Sequence, residues 1–398
     1  MKKKYFLTLT IIFLISFILV LAIGHINNIS GLSKESDLLD NKTKLNDSIL
    51  YNKLTENNQI NILVIGDNIG KSYGSSSKKN QWVNKFSQYL TKTYKANVKT
   101  KYITSLNSTA FSSLVDYSIE NTPTKTDLAI ICLGSNDINQ YSAEQFSIFY
   151  ENLIRKIKLE NPNSEIITVL ENSLEYSSKD SAKISQYVNI IKNLSMHYKT
   201  ILLDAITVFN SSDIDPKELL TQNSIFPNDL GYLQYYNTII DLFKNRLQEL
   251  KTNKLILNTY NPDSQSFFSK KNTYNDFKLI KEPVFKKGFD EIQTKALSKI
   301  HIDEVPGNYI EFDINKSNLV SISCISNNKA GIINIYINNQ LLKEIDLYSP
   351  LESKNHILIT DNIQTTKTKI KIEISKDKNP ASEGTKINIL GLINISNK

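Results

Sequence analysis

The sequence predicts an α/β domain with a parallel sheet, followed by a smaller antiparallel β-sandwich or jelly roll. Between residues 60 and 251, short apolar runs alternate with helical patterns. This alternation is typical of right-handed crossovers and of a sheet with helices on both faces. After Lys251 the pattern changes to short alternating segments separated by turn residues, which favours antiparallel sheets. A length of 398 residues is compatible with two or three such domains.

The elements of the first domain are predicted from the spacing of apolar residues. Residues 128–133 form a continuous apolar run, as expected of a strand buried on both faces. Phe146, Phe149, Tyr150 and Leu153 recur at the spacing of one helix face. Strands are predicted at 62–65, 98–103, 128–133, 165–170 and 200–204, with helices at 82–90, 114–119, 146–157, 184–194 and from Asp229 to Leu247.

The C-terminal region is predicted to contain seven strands. Residues 369–374 alternate lysine or glutamate with isoleucine, so that one face is buried and the other exposed. Asn338 and Asn339 predict a two-residue hairpin turn, because asparagine tolerates positive φ. The predicted strands are 309–314, 319–326, 331–337, 341–347, 356–360, 369–374 and 387–395.

The composition argues against nucleic-acid binding and against metal or cofactor chemistry. The net charge is +7, and Lys2, Lys3 and Lys4 supply three of these charges, which leaves +4 for the remaining chain. This charge is small, and the sequence lacks the basic stripe of a nucleic-acid-binding surface. Cys132 and Cys324 lie far apart in apolar runs and are predicted to be buried free thiols. No metal-ligand spacing is present, and no cofactor is predicted.

The N-terminus predicts export. The three lysines precede an uncharged apolar run of nineteen residues, from Tyr5 to Ile23. At about 1.5 Å per residue this run crosses a bilayer, and the lysines place the rest of the chain outside. We therefore expect a single-pass membrane anchor over residues 1–24 and a polar stalk over residues 25–59. A cleaved signal peptide, with a weak site at residues 22–24, would instead give a secreted protein.

Three motifs follow predicted strands or begin the last helix of the first domain. They read Gly-Asp-Asn at 66–68, Gly-Ser-Asn-Asp at 134–137 and Phe-Pro-Asn-Asp-Leu-Gly-Tyr at 226–232. Their order and context resemble the SGNH/GDSL hydrolase family of esterases and acetylhydrolases over residues 60–251. The resemblance implies a flavodoxin-like parallel sheet of the SGNH hydrolase type, with the chemistry at the carboxyl ends of the strands.

The residues that the resemblance places at the catalytic positions do not fit hydrolysis. Asn68 occupies the serine position, Asn223 the aspartate position and Phe226 the histidine position. A hydroxyl must pass its proton to an imidazole that a carboxylate orients, and none of these side chains can do so. Residues 105–109 also lack the expected oxyanion glycine. The sequence therefore predicts a degenerate triad, because loss of one triad member already lowers the rate by orders of magnitude.

Four other residues remain candidates for the cleft. The resemblance gives Gly134 and Asn136 a residual oxyanion-type role, although both could instead hold the loop. Asp67 and Asp137 are the remaining carboxylates, either as an acid/base pair or as turn-holding groups. None of the four histidines, at 25, 197, 301 and 356, has a sequence reason to reach Asn68.

The C-terminal domain also carries a resemblance, in residues 333–342 and 378–386. These segments resemble the accessory jelly-roll domain that often follows bacterial SGNH hydrolases and is similar to carbohydrate-binding modules. Tyr309, Tyr348 and Phe268 are candidate sugar-contacting aromatics, and burial in the sandwich core is the alternative for each.

Together these features predict a membrane-anchored, extracytoplasmic protein without hydrolytic activity. Its expected partner is a cell-wall or exopolysaccharide glycan or a membrane protein, and not a nucleic acid. The alternative is an esterase or deacetylase that acts on cell-wall or exported polysaccharide through a rearranged site. A third alternative is a scaffold in an exopolysaccharide-modifying complex.

Overall fold

The computed structural model describes most of the chain from residue 49 onward. The predicted anchor and residues 25–48 of the predicted stalk lie outside the described part. Within that part, no helix has the length and apolar character needed to cross a membrane. The described residues are 49–56, 58–119, 125–222, 226–252, 266–268, 274–294, 298–363 and 367–397.

The first domain is built on a five-stranded parallel sheet. Its strand order is β2-β1-β3-β4-β5, the flavodoxin-like order that the motif resemblance implies. Strands β3 and β4 are buried along their whole length, as expected for strands covered on both faces. The strands are β1 Gln59–Gly66, β2 Asn97–Thr104, β3 Leu128–Cys132, β4 Glu165–Leu170 and β5 Ile201–Asp204.

Helices cover both faces of this sheet and form two apolar cores. Helices α1, α2, α6 and α7 pack on one face, and α3, α4 and α5 pack on the other. The helices are α1 Ile49–Thr55, α2 Trp82–Tyr94, α3 Ala110–Ile119, α4 Ala143–Glu160, α5 Ser181–His197, α6 Ala205–Asn210 and α7 Asp229–Lys251.

Helix α1 corrects the predicted extent of the stalk. Leu50, Tyr51 and Leu54 are buried in the first core, and the Tyr51 ring lies 5.4 Å from that of Phe243. Lys53 forms an ion pair with the buried carboxylate of Asp127 at 2.7 Å. Residues 49–56 thus belong to the folded domain, because three apolar side chains on a single two-turn helix suffice to cover the edge of this core.

The C-terminal domain is an antiparallel β-sandwich, as the sequence predicts. One sheet has the order β13-β12-β15-β10-β7, and the other has the order β14-β11-β16-β9-β8, with β6 also paired to β16. The strands are β6 Asp276–Ile280, β7 Phe285–Lys287, β8 Asp290–Thr294, β9 Ser298–Asp303, β10 Tyr309–Ile314, β11 Ser317–Ser326, β12 Ile332–Ile337, β13 Gln340–Asp346, β14 Ser353–Ile363, β15 Thr368–Ile374 and β16 Ile387–Ser396.

All seven predicted strands of this domain are present, and β6 to β9 were not predicted. Strand β7 is exposed throughout and β8 is almost entirely exposed, so neither shows the alternation that a half-buried strand requires. The hairpin prediction is confirmed, because Asn338 and Asn339 join β12 to β13 with φ values of 49° and 69°.

The two domains pack against each other through one sheet of the sandwich. Leu319, Ile393 and Ile395 of that sheet lie in the same apolar core as α3, α4 and α5. At this junction Asp116 of α3 accepts hydrogen bonds from His356, at 2.9 Å, and from Lys354, at 2.7 Å. Strands β11 and β16 of this sheet thus contact the first domain, whereas the apolar residues of the other sheet lie in the sandwich core alone.

Candidate functional site

The carboxyl ends of β1, β3 and β4 place the first two sequence motifs together. Gly66 ends β1 with φ of 147°, and a Cβ there would overlap the carbonyl oxygen of Cys132 at the end of β3. The next backbone N–H, that of Asp67, donates to this same oxygen at 3.1 Å. Glycine is therefore required at residue 66, because only its missing Cβ lets the two strand ends approach.

The turn that carries Asn68 is held by its own hydrogen bonds. The Asp67 carboxylate accepts from the N–H of Ile69 at 2.9 Å, and the carbonyl of Asn68 accepts from the N–H of Tyr73 at 2.8 Å. The Asn68 side-chain oxygen is buried and has no hydrogen-bond partner among the described residues. At the position that the resemblance gives to the nucleophile, the turn thus presents a carboxamide and no hydroxyl.

Phe226 packs against the same turn. Its ring lies 5.1 Å from that of Tyr73 in an edge-to-face arrangement, and its side chain borders the first core. A Cβ on Gly74 would contact the Phe226 side chain at 3.4 Å. An aromatic packing residue, with no proton-accepting atom, therefore stands where the resemblance expects the imidazole. Asn223, the third replaced position, lies outside the described residues.

The remainder of the third motif holds the start of α7. Asn228 is the N-cap of this helix and accepts from the N–H groups of Leu230, at 2.9 Å, and Gly231, at 3.1 Å. The hydroxyl of Tyr232 donates to the carbonyl of Tyr73 at 2.8 Å, which ties the helix to the Asn68 turn. Asn228, Gly231 and Tyr232 of the motif thus hold local structure at the start of α7.

Asn136 also bonds to the protein itself. Its amide nitrogen donates to the carbonyls of Leu106, at 3.1 Å, and Ser108, at 3.0 Å. Both N–H groups of the amide are used, so that neither is directed at a developing oxyanion. The geometry favours the loop-holding alternative for Asn136, and Gly134 adopts φ of 138° in the same turn.

Asp137 is a buried capping group. One oxygen accepts from the N–H of Ala110 at the start of α3, at 2.8 Å, and the other has no partner among the described residues. Burial raises the pKa of Asp137 to about 8, although the Ala110 hydrogen bond opposes this rise. Its contacts are those of a turn-holding residue, and it is not paired with Asp67 in the way a catalytic dyad would be.

A hydroxyl and two carboxyl groups form a chain that the sequence analysis missed. Glu171 directly follows β4 and is 1% exposed, and Asp67 is 2% exposed. Burial raises the pKa of both carboxyls, and the negative charge of Glu171 raises that of Asp67 further. The hydroxyl of Ser135 donates to Glu171. We call this arrangement the Ser135–Glu171–Asp67 chain.

The signal that could have revealed Glu171 was its place in the sequence. It is the first residue after an apolar parallel strand, which is where such sheets carry functional side chains. Its neighbour Ser173 is buried and lies 2.5 Å, oxygen to oxygen, from the Ser135 hydroxyl. Glu171 lies outside the three family motifs, so the resemblance does not single it out.

The described histidines are engaged elsewhere, and both cysteines are buried. His301 contacts the carbonyl of Lys281, His356 contacts Asp116, and the ring of His197 packs on Phe267. Cys132 and Cys324 are buried free thiols, as predicted. Within the described ranges, no group of three His, Cys, Asp or Glu side chains is placed to hold a metal ion.

Comparisons with known proteins agree with this architecture. Residues 64–233 match the model of the GDSL-like Lipase/Acylhydrolase family. A two-domain esterase active on acetylated mannans superposes with a TM-score of 0.70 at 16% identity, over 90% of this chain and 97% of that one. Its form co-crystallised with mannopentaose gives 0.69 at 16% identity, over 89% and 97%. No curated protein sequence matches the chain.

At this identity the structural likeness establishes the fold, while the family model and the three motifs identify the first domain. The sheet order, the Gly66 strand end and the N-cap of α7 provide the frame in which that family places its site. The first domain is therefore a GDSL-like lipase/acylhydrolase domain with the SGNH hydrolase fold, and an antiparallel β-sandwich domain follows it.

Proposed function

We propose that this protein is an exported, membrane-anchored glycan-binding component of the cell envelope that does not hydrolyse esters through the family triad. One observation carries the proposal: Phe226 packs as an aromatic side chain against the turn that carries Asn68. The Asn68 carboxamide and the Phe226 phenyl ring provide neither a nucleophile nor a base. The apolar run of residues 5–23 supplies the anchor in this proposal.

The hydrogen bonds of Asn136 support the same function. Stabilisation of an oxyanion requires donors aimed at the position where the charge develops. The Asn136 amide donates to the carbonyls of Leu106 and Ser108. Both hydrogen bonds would have to break before the amide could stabilise an oxyanion. Three requirements of acyl transfer, namely the nucleophile, the base and this donor, are therefore unmet by the residues at the family positions.

The two-domain architecture supports a glycan as the partner. The esterase with the same domain order is described as active on acetylated mannans, which are polysaccharides. A protein that has this two-domain fold but lacks the triad still has surfaces that a polysaccharide can contact. The β domain is fixed to the first domain by a shared apolar core and by the Asp116–His356 contact, so both present one continuous surface.

The test measures hydrolysis and binding on the same full-length protein in detergent. We expect release of acetate from acetylated mannan, and turnover of 4-nitrophenyl acetate, at the rate of buffer, together with measurable retention on immobilised polysaccharide. Asn136→Ala should leave both rates unchanged. Turnover well above buffer that disappears in Asn136→Ala would show that the family site still works.

The topology part of the proposal has its own test. Protease added to intact cells should remove the domains after residue 49 and leave a short membrane-bound fragment. Recovery of the intact protein in the culture medium would instead show cleavage near residues 22–24 and a secreted form.

A second candidate function rests on the Ser135–Glu171–Asp67 chain. The Ser135 hydroxyl already donates to the carboxylate of Glu171, whose raised pKa suits a general base. In this alternative, Ser135 Oγ attacks an acyl carbon and its proton passes to Glu171, which then protonates the leaving alcohol. Water hydrolyses the acyl-serine in a second step, with Glu171 again as the general base.

A covalent probe separates the two candidates. An alkyl fluorophosphonate should leave the protein unlabelled if the first proposal holds. Labelling that is lost in Ser135→Ala and in Glu171→Gln, but kept in Ser77→Ala, would favour the rearranged esterase. Ser77 is a suitable control because it precedes the short helix Lys78–Asn80, outside the Ser135–Glu171–Asp67 chain.

A further inference from the structure

One face of the β domain is not covered by the first domain. The β13-β12-β15-β10-β7 sheet buries one side in the sandwich core through side chains such as Ile310, Phe312 and Ile372. The alternate residues of the same strands point away from that core and are partly or fully exposed. We call this second side the outer face. Its position makes it the broadest surface that the β domain presents away from α3 and α4.

A row of side chains crosses the strands of the outer face. Phe285 of β7 is opposite Glu311 of β10, and Glu311 is opposite Lys371 of β15. Lys371 is in turn opposite Tyr336 of β12. Phe285 is 48% exposed, although it is a large apolar side chain. This row thus has an aromatic ring at each end and two charged groups between them, across four strands.

A second row runs beside the first, with Tyr309 as its aromatic member. Its ring lies 5.5 Å from that of Phe285, with the two planes at 27°. The Lys371 ammonium lies 3.9 Å from the centroid of Tyr336 and 5.2 Å from that of Tyr309. Because two strand spacings separate β10 from β12, the two tyrosines stand roughly 10 Å apart across the sheet. The lysine between them holds both rings by cation–π contact.

The charged groups between Phe285 and Tyr336 are paired. Lys369 pairs with Glu311 at 3.0 Å, and Lys371 pairs with Glu373 at 2.8 Å. The hydroxyl of Tyr336 donates to Glu373 at 3.2 Å. A face of paired charges exerts little net attraction on a polyanion, which argues against an anionic polymer as the ligand.

The same pairing argues against a protein partner. The core of a protein–protein interface is depleted of charged residues, whereas on this face every aromatic ring borders an ion pair. A pyranose chain has the complementary chemistry, since its C–H faces stack on aromatic rings and its hydroxyl edges bond to carboxylate, ammonium and amide groups. Asn334, opposite Glu373, adds such an amide beside the rings.

We propose that the outer face binds a neutral, hydroxyl-rich polysaccharide laid across β7, β10, β15 and β12, with Phe285, Tyr309 and Tyr336 as stacking residues. The proposal rests on the proposed glycan-binding function and places the contact on this sheet, away from the Asn68 turn. On binding, Lys371 bonds sugar hydroxyls from its place between the two tyrosines.

Affinity electrophoresis of the full-length protein tests this placement. The gels contain galactomannan, a mixed-linkage glucan or, as the anionic comparison, alginate. We expect at least one neutral polysaccharide to retard the protein and alginate not to. The double variant Tyr309→Ala/Tyr336→Ala should weaken binding about tenfold, since two lost aromatic contacts of ~0.5–1.5 kcal/mol each amount to roughly that factor.

Two control variants keep the result interpretable. The double variant Tyr309→Phe/Tyr336→Phe keeps both rings and should still bind the polysaccharide. If the tyrosines acted only through structural contacts of their hydroxyls, this variant would lose binding. Tyr102→Ala removes a tyrosine that is 37% exposed on β2 of the first domain, and it should bind as the parent does. A melting temperature close to that of the parent shows that the double alanine variant is folded.

The outcomes separate this inference from the proposed function. Undiminished binding by the folded double alanine variant would overturn the placement on the outer face while leaving glycan binding intact. Retardation by alginate alone, or by none of the polysaccharides, would overturn both glycan binding and its placement. Ester turnover by the parent would overturn only the absence of hydrolysis.

Discussion

The cleft of the first domain and the outer face of the second use their polar groups in opposite ways. In the cleft, Asn136 and Asp137 bond to the backbone of their own domain, and Phe226 packs on the turn. On the outer face, the polar groups pair across exposed strands, with Tyr309 and Tyr336 between them. The difference is that polar groups of the cleft bond within the fold, whereas those of the outer face stay at the surface, where we propose that recognition occurs.

The largest expected effect is on the framework of the cleft. Gly66→Ala should destabilise the protein by ~4 kcal/mol or more, because the new Cβ overlaps the Cys132 carbonyl at a positive φ. Denaturant unfolding measures this change, and Gly307→Ala is a useful comparison, because Gly307 also has a positive φ, of 84°, but no atom within 4 Å of its new Cβ. Equal stability of the two variants would mean that the strand ends do not need to approach closely.

The next effect is a pH dependence of stability that arises from Asp137. Because its pKa is raised from 3.8 to about 8, the folded state binds this proton more tightly than the unfolded state. The contribution is full below the unfolded value of 3.8 and is lost as the pH rises towards about 8, so stability should fall across that window. The raised pKa values of Asp67 and Glu171 act in the same direction.

Asp137→Asn isolates this contribution. The asparagine oxygen can still accept from Ala110, while the titrating group is gone. Stability measured by denaturant at several pH values should fall less steeply with pH in the variant than in the parent. The opposite result would be a parent stability that rises between pH 4 and pH 8 and an Asp137→Asn variant with the same slope. It would contradict the burial of the Asp137 carboxyl.

A smaller effect is expected at Asn136. Asn136→Ala leaves the carbonyls of Leu106 and Ser108 without this donor, which costs ~1–3 kcal/mol of stability if they stay buried. Binding of polysaccharide should not change, because the outer face is on the other domain. Loss of glycan binding without loss of stability would indicate that the glycan binds in the cleft.

The smallest effect on stability is expected on the outer face. Tyr309→Ala/Tyr336→Ala should change the free energy of unfolding by no more than about 1 kcal/mol, because both rings lie outside the cores and exposed cation–π contacts are weak. Thermal and denaturant unfolding check this. A large loss of stability would mean that the aromatic rows support the sheet itself, and the contrast with the cleft would disappear.

Much of the fold followed from the sequence because the relevant signals are local. Apolar runs and helical spacing predicted the parallel strands and most helices, and the paired asparagines predicted the hairpin. Helices α1 and α6 and strands β6 to β9 were not predicted, because a short helix or an exposed strand shows little periodicity. Their stability comes from neighbours that are distant in the sequence.

The sequence by itself determined which side chains stand at the family positions, and so that Asn68 and Phe226 cannot perform acyl transfer. Only the tertiary structure decided where the Asn136 amide points and that Ser135, Glu171 and Asp67 meet. It likewise decided which sheet of the sandwich faces away from the first domain. The physical reason is that hydrogen-bond partners and burial depend on residues brought together by separate strands, which local sequence patterns do not encode.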